Sequence, residues 1–246
     1  MSNTDVFLSY AWEGESEIFV NDLDQSLKSR NLVITRDKRD LGYKGSITDF
    51  MKKIGAGKAV VVVISDDYLK SPYCMFELLQ IYRNHDFMDR TFQVVLPDAA
   101  IFDPRSRMRY VEYWHEKKTE LETIFQQFGP GAISAIGDDY KNYDNISSRV
   151  GEILSELADS NALSPQIHKS SNFSDLYNAL IARLDKDARY TREKNTQKLL
   201  SELFTGSKKR YSELTGMGGP YQHLNITEAI WRESIQSNPK TSPTNH

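Results

Sequence analysis

KAVVVVISDDYLKSPYCMFELLQIYRN, residues Lys58 to Asn84, holds an unbroken apolar run, a polar turn and an amphipathic segment in that order. The run Val60 to Ile64 is β-branched throughout, the composition of a strand buried on both faces. Ser65-Asp66-Asp67 reads as the turn that follows it. Ser71 is placed to cap a helix and Pro72 suits its first position. Phe76, Leu78, Leu79, Ile81 and Tyr82 then mark the apolar side of that helix. Glu77 sits among them, flanked by Phe76 and Leu78. A carboxylate there is either a solvated boundary residue or a placed functional group, and taken alone the boundary role has the better odds.

The same alternation extends outward. Asp5–Tyr10, DVFLSY, reads as a first strand beginning almost at the first residue, which leaves no N-terminal extension. Ile18, Phe19, Leu23 and Leu27 recur at helical spacing, predicting a helix over 15–30. Leu32 to Thr35 reads as a second strand, and Arg36–Gly45, RDKRDLGYKG, as an exposed charged loop with two glycines. A helix capped by Ser46 and carrying Ile47, Phe50, Met51 and Ile54 should follow. Phe92 to Leu96, stopped by Pro97, reads as a fourth strand. Strands and helices in alternation predict a mostly parallel sheet with helices on both faces. Ligands in such sheets bind at the carboxyl ends of the strands. Those ends are Ser9-Tyr10-Ala11-Trp12, Arg36-Asp37, Ser65-Asp66 and Pro97-Asp98.

Beyond Asp98 the pattern changes. One long charged helix is predicted over 105–128, with Tyr110, Trp114, Leu121 and Phe125 inward, broken by Gly129-Pro130-Gly131. Ala132–Ile136 is a weak candidate for a fifth strand. Helices are predicted over 142–157 and 171–184, the latter closing the domain with Phe173, Leu176, Tyr177, Leu180, Ile181 and Leu184. From Asp185 the chain is strongly charged and poor in aliphatics. Leu199, Leu200, Leu203 and Phe204 nevertheless form a narrow apolar strip at helical spacing, which needs something to bury against. The last residues, SNPKTSPTNH, have the composition of disorder. Domain 1–186 and a charged helical appendage with a disordered tail, 187–246, are the expected divisions.

Composition narrows the function. The chain has 31 Lys+Arg against 34 Asp+Glu, a net charge of −3, which offers no electrostatic case for nucleic acid or an anionic membrane. At 39% hydrophobic and 26% charged residues, a packed core and a soluble chain are expected. The one cysteine, Cys74, forms no internal disulfide and reads as a small buried hydrophobe. With no signal peptide and no apolar run of membrane-spanning length, the expected compartment is the cytoplasm. No glycine-rich dinucleotide fingerprint follows the first strand and no phosphate-binding loop is present, which argues against a dehydrogenase or nucleoside triphosphatase. The histidines, including His168, are scattered without metal-ligand spacing, so no metal site is expected and each reads as a surface or boundary residue.

Three stretches taken together resemble one family. DVFLSYA, RDKRDLGYKGSI and VVVISDDYLKSPYCMFEL are similar to the three signature boxes of the Toll/interleukin-receptor (TIR) domain. Ser65, Tyr68, Ser71, Cys74, Glu77 and Leu78 match the third box, with Tyr73 in place of its usual tryptophan. The match is strong from Asp5 to Arg83. The long segment 105–163 is similar to the elaborated bacterial kind. The resemblance implies a flavodoxin-like three-layer α/β fold, with the charged helical appendage behind it.

It also implies two alternative activities. Many bacterial and plant-type TIR domains cleave NAD at the nicotinamide–ribose bond, carrying a glutamate where Glu77 stands. Others are non-catalytic scaffolds that bind one another in signalling. For the first, the implied function is an NAD glycohydrolase releasing nicotinamide and ADP-ribose or a cyclic form, a defence effector against phage that self-assembly activates. NAD is then substrate, and no cofactor is needed. The cationic pyridinium leaves as a neutral base without a general acid, so the ribosyl oxocarbenium ion is what needs stabilising, and one carboxylate suffices. Glu77 is the expected catalytic residue. Ser9, Tyr10, Ala11 and Trp12, with Arg36, Asp37 and Tyr73, are the expected substrate contacts; Tyr10 or Trp12 would stack on a planar ring. Arg39, Leu41, Gly42, Tyr43 and Gly45 form the expected assembly loop. A separate sensor protein is a further expected partner. A nucleoside deoxyribosyltransferase-like enzyme shares the layout and a glutamate, but the loop 36–45 argues against it.

If the apolar strip of the appendage serves a partner, a 1–186 fragment should keep the melting temperature of the full chain. A substantially lower melting temperature would instead make the strip an internal brace.

Overall fold

The computed structural model describes residues 6–12, 14–36, 53–54, 57–84, 86–160 and 162–215, without the side chains of 132–133 and 204–215. The predicted helix after Ser46 lies almost wholly outside these residues. The chain divides into two units, Met1–Asp187 and Ala188–His246.

The first unit is built on strands β1 (Val6–Tyr10), β2 (Thr35–Arg36), β3 (Ala59–Ile64) and β4 (Thr91–Val95). They form a four-stranded sheet in the order β2-β1-β3-β4. All three pairings are parallel, with Tyr10 opposite Val63 and Ile64 opposite Val95. Every residue of β3 is buried, as its β-branched run requires of a central strand. Its side chains alternate between two cores. Val60, Val62 and Ile64 join one, Ala59, Val61 and Val63 the other. Each fully buried valine or isoleucine contributes roughly 1.5–3 kcal/mol of transfer free energy, so the strand anchors both layers.

The second core is closed by helix α1 (Gly14–Ser29), through Phe19, Val20, Leu23 and Leu27, and by Phe173, Leu176 and Leu180 near the start of the last helix. The first core lies under α2 (Asp66–Lys70), α3 (Pro72–Arg83), the short α4 (Phe87–Arg90) and two long helices, α5 (Pro104–Phe128) and α6 (Pro130–Asp159). Trp114 of α5 is buried and donates its indole N–H to the Leu69 carbonyl at 2.9 Å. Ile146, Val150, Ile153, Leu154 and Leu157 of α6 fill the same core. Helices α7 (Pro165–Ser170) and α8 (Ser174–Thr215) follow. With helices on both faces of a parallel sheet, the architecture is the flavodoxin-like α/β fold.

Several expectations are corrected. The second strand is only Thr35–Arg36; Leu32 to Ile34 stay outside the ladder. Ser65-Asp66-Asp67 is no simple turn: Ser65 caps α2, its side chain accepting from Tyr68 N at 3.0 Å. Ala132–Ile136 is helical, not a strand, because α6 starts immediately at Pro130. The break before it is Gly129, whose φ of 60° suits glycine, and Pro130 opens the next helix. The early part of α6 is held by α5: Tyr140 donates to Glu122 at 2.9 Å and packs edge-on to Phe125. Leu121 and Phe125 are only half-buried. The last helix begins three residues late and runs on to Thr215.

In the second unit, residues 188–215 are helical. Leu199, Leu200 and Leu203 are exposed there. Among the described residues no helix is long and apolar enough to cross a membrane.

His168 is another departure, buried at 4% exposure rather than lying at the surface. Its ring stacks on Phe173 and meets the edge of Phe19. Neither ring nitrogen has a hydrogen-bond partner among the described residues. Burial lowers its pKa, partly opposed by Asp175. Lys169, the next residue of α7, is paired with Asp22 of α1 at 3.0 Å. The folded chain therefore keeps the ring neutral, while the unfolded chain protonates below about pH 6.5. Stability should fall as pH drops through that value, by at most about 1.4 kcal/mol per pH unit from this group, and be unaffected above it. His168→Leu should show a smaller loss of melting temperature between pH 7.5 and 5.5 than the parent. An equal loss would remove His168 from the acid response.

Candidate functional site

The order β2-β1-β3-β4 reverses direction between β1 and β3, so the crevice outside their carboxyl ends is the expected place for a ligand. Helix α3 is delivered to that place by its own first turn. Ser71 accepts from Cys74 N at 3.3 Å and Pro72 is its first residue. The Cys74 thiol points to the Tyr10 carbonyl at 3.7 Å, docking the helix start against the end of β1. Cys74 is thus part of the core, as its type suggested.

One turn further, Glu77 is 4% exposed, so it is not a solvated boundary residue. Its Oε2 accepts from the Ser9 hydroxyl at 2.6 Å. The Ser9 oxygen also lies 2.8 Å from the Tyr68 hydroxyl. Ser9 is 1% and Tyr68 0% exposed. A hydroxyl donating to an ionised carboxylate makes a charge-assisted bond, roughly twice as strong as a neutral one. Low exposure strengthens whatever electrostatic work the carboxylate does, because little water screens it.

The expected substrate contacts separate across the sheet. Along β1, Val6, Leu8 and Tyr10 belong to the core under α1, while Phe7 packs on the opposite core. Ser9, on the same side as Phe7, faces Glu77. Tyr10 is 1% exposed, and its hydroxyl accepts from Arg36 Nη2 at 2.8 Å. The Arg36 guanidinium lies 5.3 Å from the Tyr10 ring centre, bonds Asn21 at 2.9 Å and pairs with Asp24 at 3.4 Å. Tyr10 and Arg36, both expected among the substrate contacts, are therefore bonded to each other on the α1 side. The strict alternation of a strand puts them there. Ala11 is buried in the core that also holds Cys74 and Leu78. Trp12, at 48% exposure, and Tyr73, at 64%, keep open aromatic surface next to Ala11 and Cys74. Asp37, Arg39, Leu41, Gly42, Tyr43 and Gly45 lie outside the described residues.

At the ends of β3 and β4, Asp98 accepts from Asp66 N at 3.2 Å and Asp66 accepts from the Tyr110 hydroxyl at 2.9 Å. Burial first, and that bond second, raise the pKa of the Tyr110 hydroxyl. This ties α2 to α5 and holds Tyr68 in place. Tyr68 stood in the motif without a role; its spacing from Ser65 and Ser71 was the available signal. A groove of about 520 Å³ lies on the α5–α6 hairpin, lined by Phe125, Ser134, Tyr140 and Lys141, not at the strand ends.

Residues 6–127 match the family model of the TIR domain. Over 123 residues the chain is 28% identical to TMV resistance protein N of Nicotiana glutinosa, covering 50% of this chain and 10% of that protein. The chain thus spans about a tenth of the length of this curated relative. The TIR domains of the activated Roq1 resistosome, in the structure directly recognizing the pathogen effector XopQ, align at a TM-score of 0.47 and 22% identity. That alignment covers 73% of this chain and 98% of that one. The segment from residue 6 to residue 127 is a TIR domain.

Proposed function

We propose that this chain is an NAD glycohydrolase that cleaves the nicotinamide–ribose bond, with Glu77 as the stabilising carboxylate. The observation that carries this reading is a buried glutamate at the β1–β3 switch point, held by a hydroxyl from the end of β1. Nicotinamide departs neutral, so the site must stabilise positive charge growing on the ribose. A carboxylate in a poorly hydrated crevice does so without reorganising. Ser9 keeps that carboxylate oriented. Trp12 and Tyr73 offer exposed rings for a planar base. Water attacking the ribosyl cation gives ADP-ribose; attack by the adenine of the same molecule gives a cyclic product. Neither path needs a metal.

The proposal extends to regulation. The loop 36–45 is the surface for self-association, and assembly switches the activity on in a cytoplasmic defence effector. A relative described as a "resistance protein" supports a defence role of this kind. The alternative is a non-catalytic scaffold joining TIR domains. Its specific support is that Glu77, at 4% exposure, also fits a purely structural hydrogen bond between β1 and α3.

Two measurements separate these. Glu77→Gln keeps the shape of the side chain and should cut NAD turnover about 10²–10³-fold with an unchanged melting curve. A folded variant with parental turnover would sink the catalytic role. Tyr43→Ala or Gly45→Pro should lower both oligomer size and turnover, and the parental rate per molecule should rise with protein concentration. Concentration-independent turnover, equal in variant and parent, would rule out activation by assembly.

A further inference from the structure

Tyr68, Ser9 and Glu77 come from α2, β1 and α3, and their polar ends form one line through the buried end of the sheet. The direction of that line follows from proton counting. An ionised carboxylate only accepts. Ser9 has a single hydroxyl proton, and it goes to Glu77 Oε2 at 2.6 Å. Toward Tyr68, at 2.8 Å, the Ser9 oxygen is then left to accept, so the phenol is the donor. Each bond in such a chain polarises the next, and the low dielectric of a buried site enlarges the effect. The Tyr68 end is anchored. The backbone of Tyr68 is held by the Ser65 cap, and α2 is tied to α5 through Asp66 and Tyr110.

We propose that Tyr68 is a positioning residue for Glu77, acting through Ser9: its hydroxyl polarises the serine, which holds the glutamate ionised and in one orientation. This rests on the reading of Glu77 as the reacting carboxylate, but the relay has a consequence of its own that needs no turnover. Removing Tyr68's hydroxyl weakens the bond that favours the charged form of Glu77. Removing Ser9's hydroxyl deletes that bond.

The test is carbon NMR of the full chain with glutamate labelled at the side-chain carboxyl, the Glu77 signal being the one lost in Glu77→Gln. Tyr68→Phe should raise the midpoint of Glu77 titration by about half a pH unit or more. Ser9→Ala should raise it further. An unmoved midpoint in folded Tyr68→Phe overturns the relay. Tyr68→Phe keeps the ring and decides the matter alone if Ser9→Ala does not fold. In NAD turnover, the acid limb of kcat/KM should move up by the same interval in Tyr68→Phe, with KM nearly unchanged. A parent protein that leaves NAD intact refutes the proposed function, while the titration still reads the relay.

Discussion

Strand β3 has no face to give to water, and the position of everything at the site follows from covering both of its sides. One core needs α1 and the start of α8; the other needs α3, α5 and α6. Parallel pairing with β1 on one edge and β4 on the other then brings the carboxyl ends of three strands to one rim. The chain leaving β3 must turn immediately to cover that strand's own core. It does so with two capped helices in succession, and the second places Glu77 beside the end of β1.

The third signature stretch is, in this light, mostly geometry. Ser65 and Ser71 satisfy the free N–H groups at two helix starts. Pro72 fixes the entry of α3, Cys74 fills the space against the Tyr10 carbonyl, and Tyr68 closes on Ser9. Glu77 alone of these carries a charge into the interior. A buried carboxylate is costly unless its acceptors are matched, and the hydroxyl of Ser9 answers that need. The same bond serves a scaffold or an enzyme, which is why fold likeness alone does not decide chemistry.

The long α5–α6 hairpin is best understood as a second wall for that arrangement. Trp114 bonds the Leu69 carbonyl, Tyr110 bonds Asp66, and Tyr143 packs edge-on against Trp114. These contacts hold α2 from outside, while Ser9 meets it from within. The buried His168 belongs to the opposite face, between α1 and the start of α8, and has no part in the site.

The parallel α/β plan was legible in the sequence because it rests on short-range patterns: a β-branched run, helical spacing in Phe19–Leu27, and the capping pair Ser71-Pro72. Glu77 stands out among the acids only through the resemblance of its stretch to the third TIR box, since taken alone it reads as a boundary residue. What failed were judgements that depend on partners far along the chain. Ala132–Ile136 has no strong local preference, and it lies inside α6, which starts at Pro130 and is tied to α5 further on through Tyr140 and Phe125. Tyr10 and Arg36 sit at strand ends, where ligands bind, yet the side each faces is set by the register of β1 against β2 and by α1. His168 reads as a surface or boundary residue in the sequence because nothing in its neighbours announces Phe19, some 150 residues earlier in the chain, as its cover. Local sequence determined which elements form and where Glu77 stands on its helix. Only the tertiary structure decided which face of the sheet each polar side chain joins, because burial and hydrogen bonding there are made between segments that the sequence holds far apart.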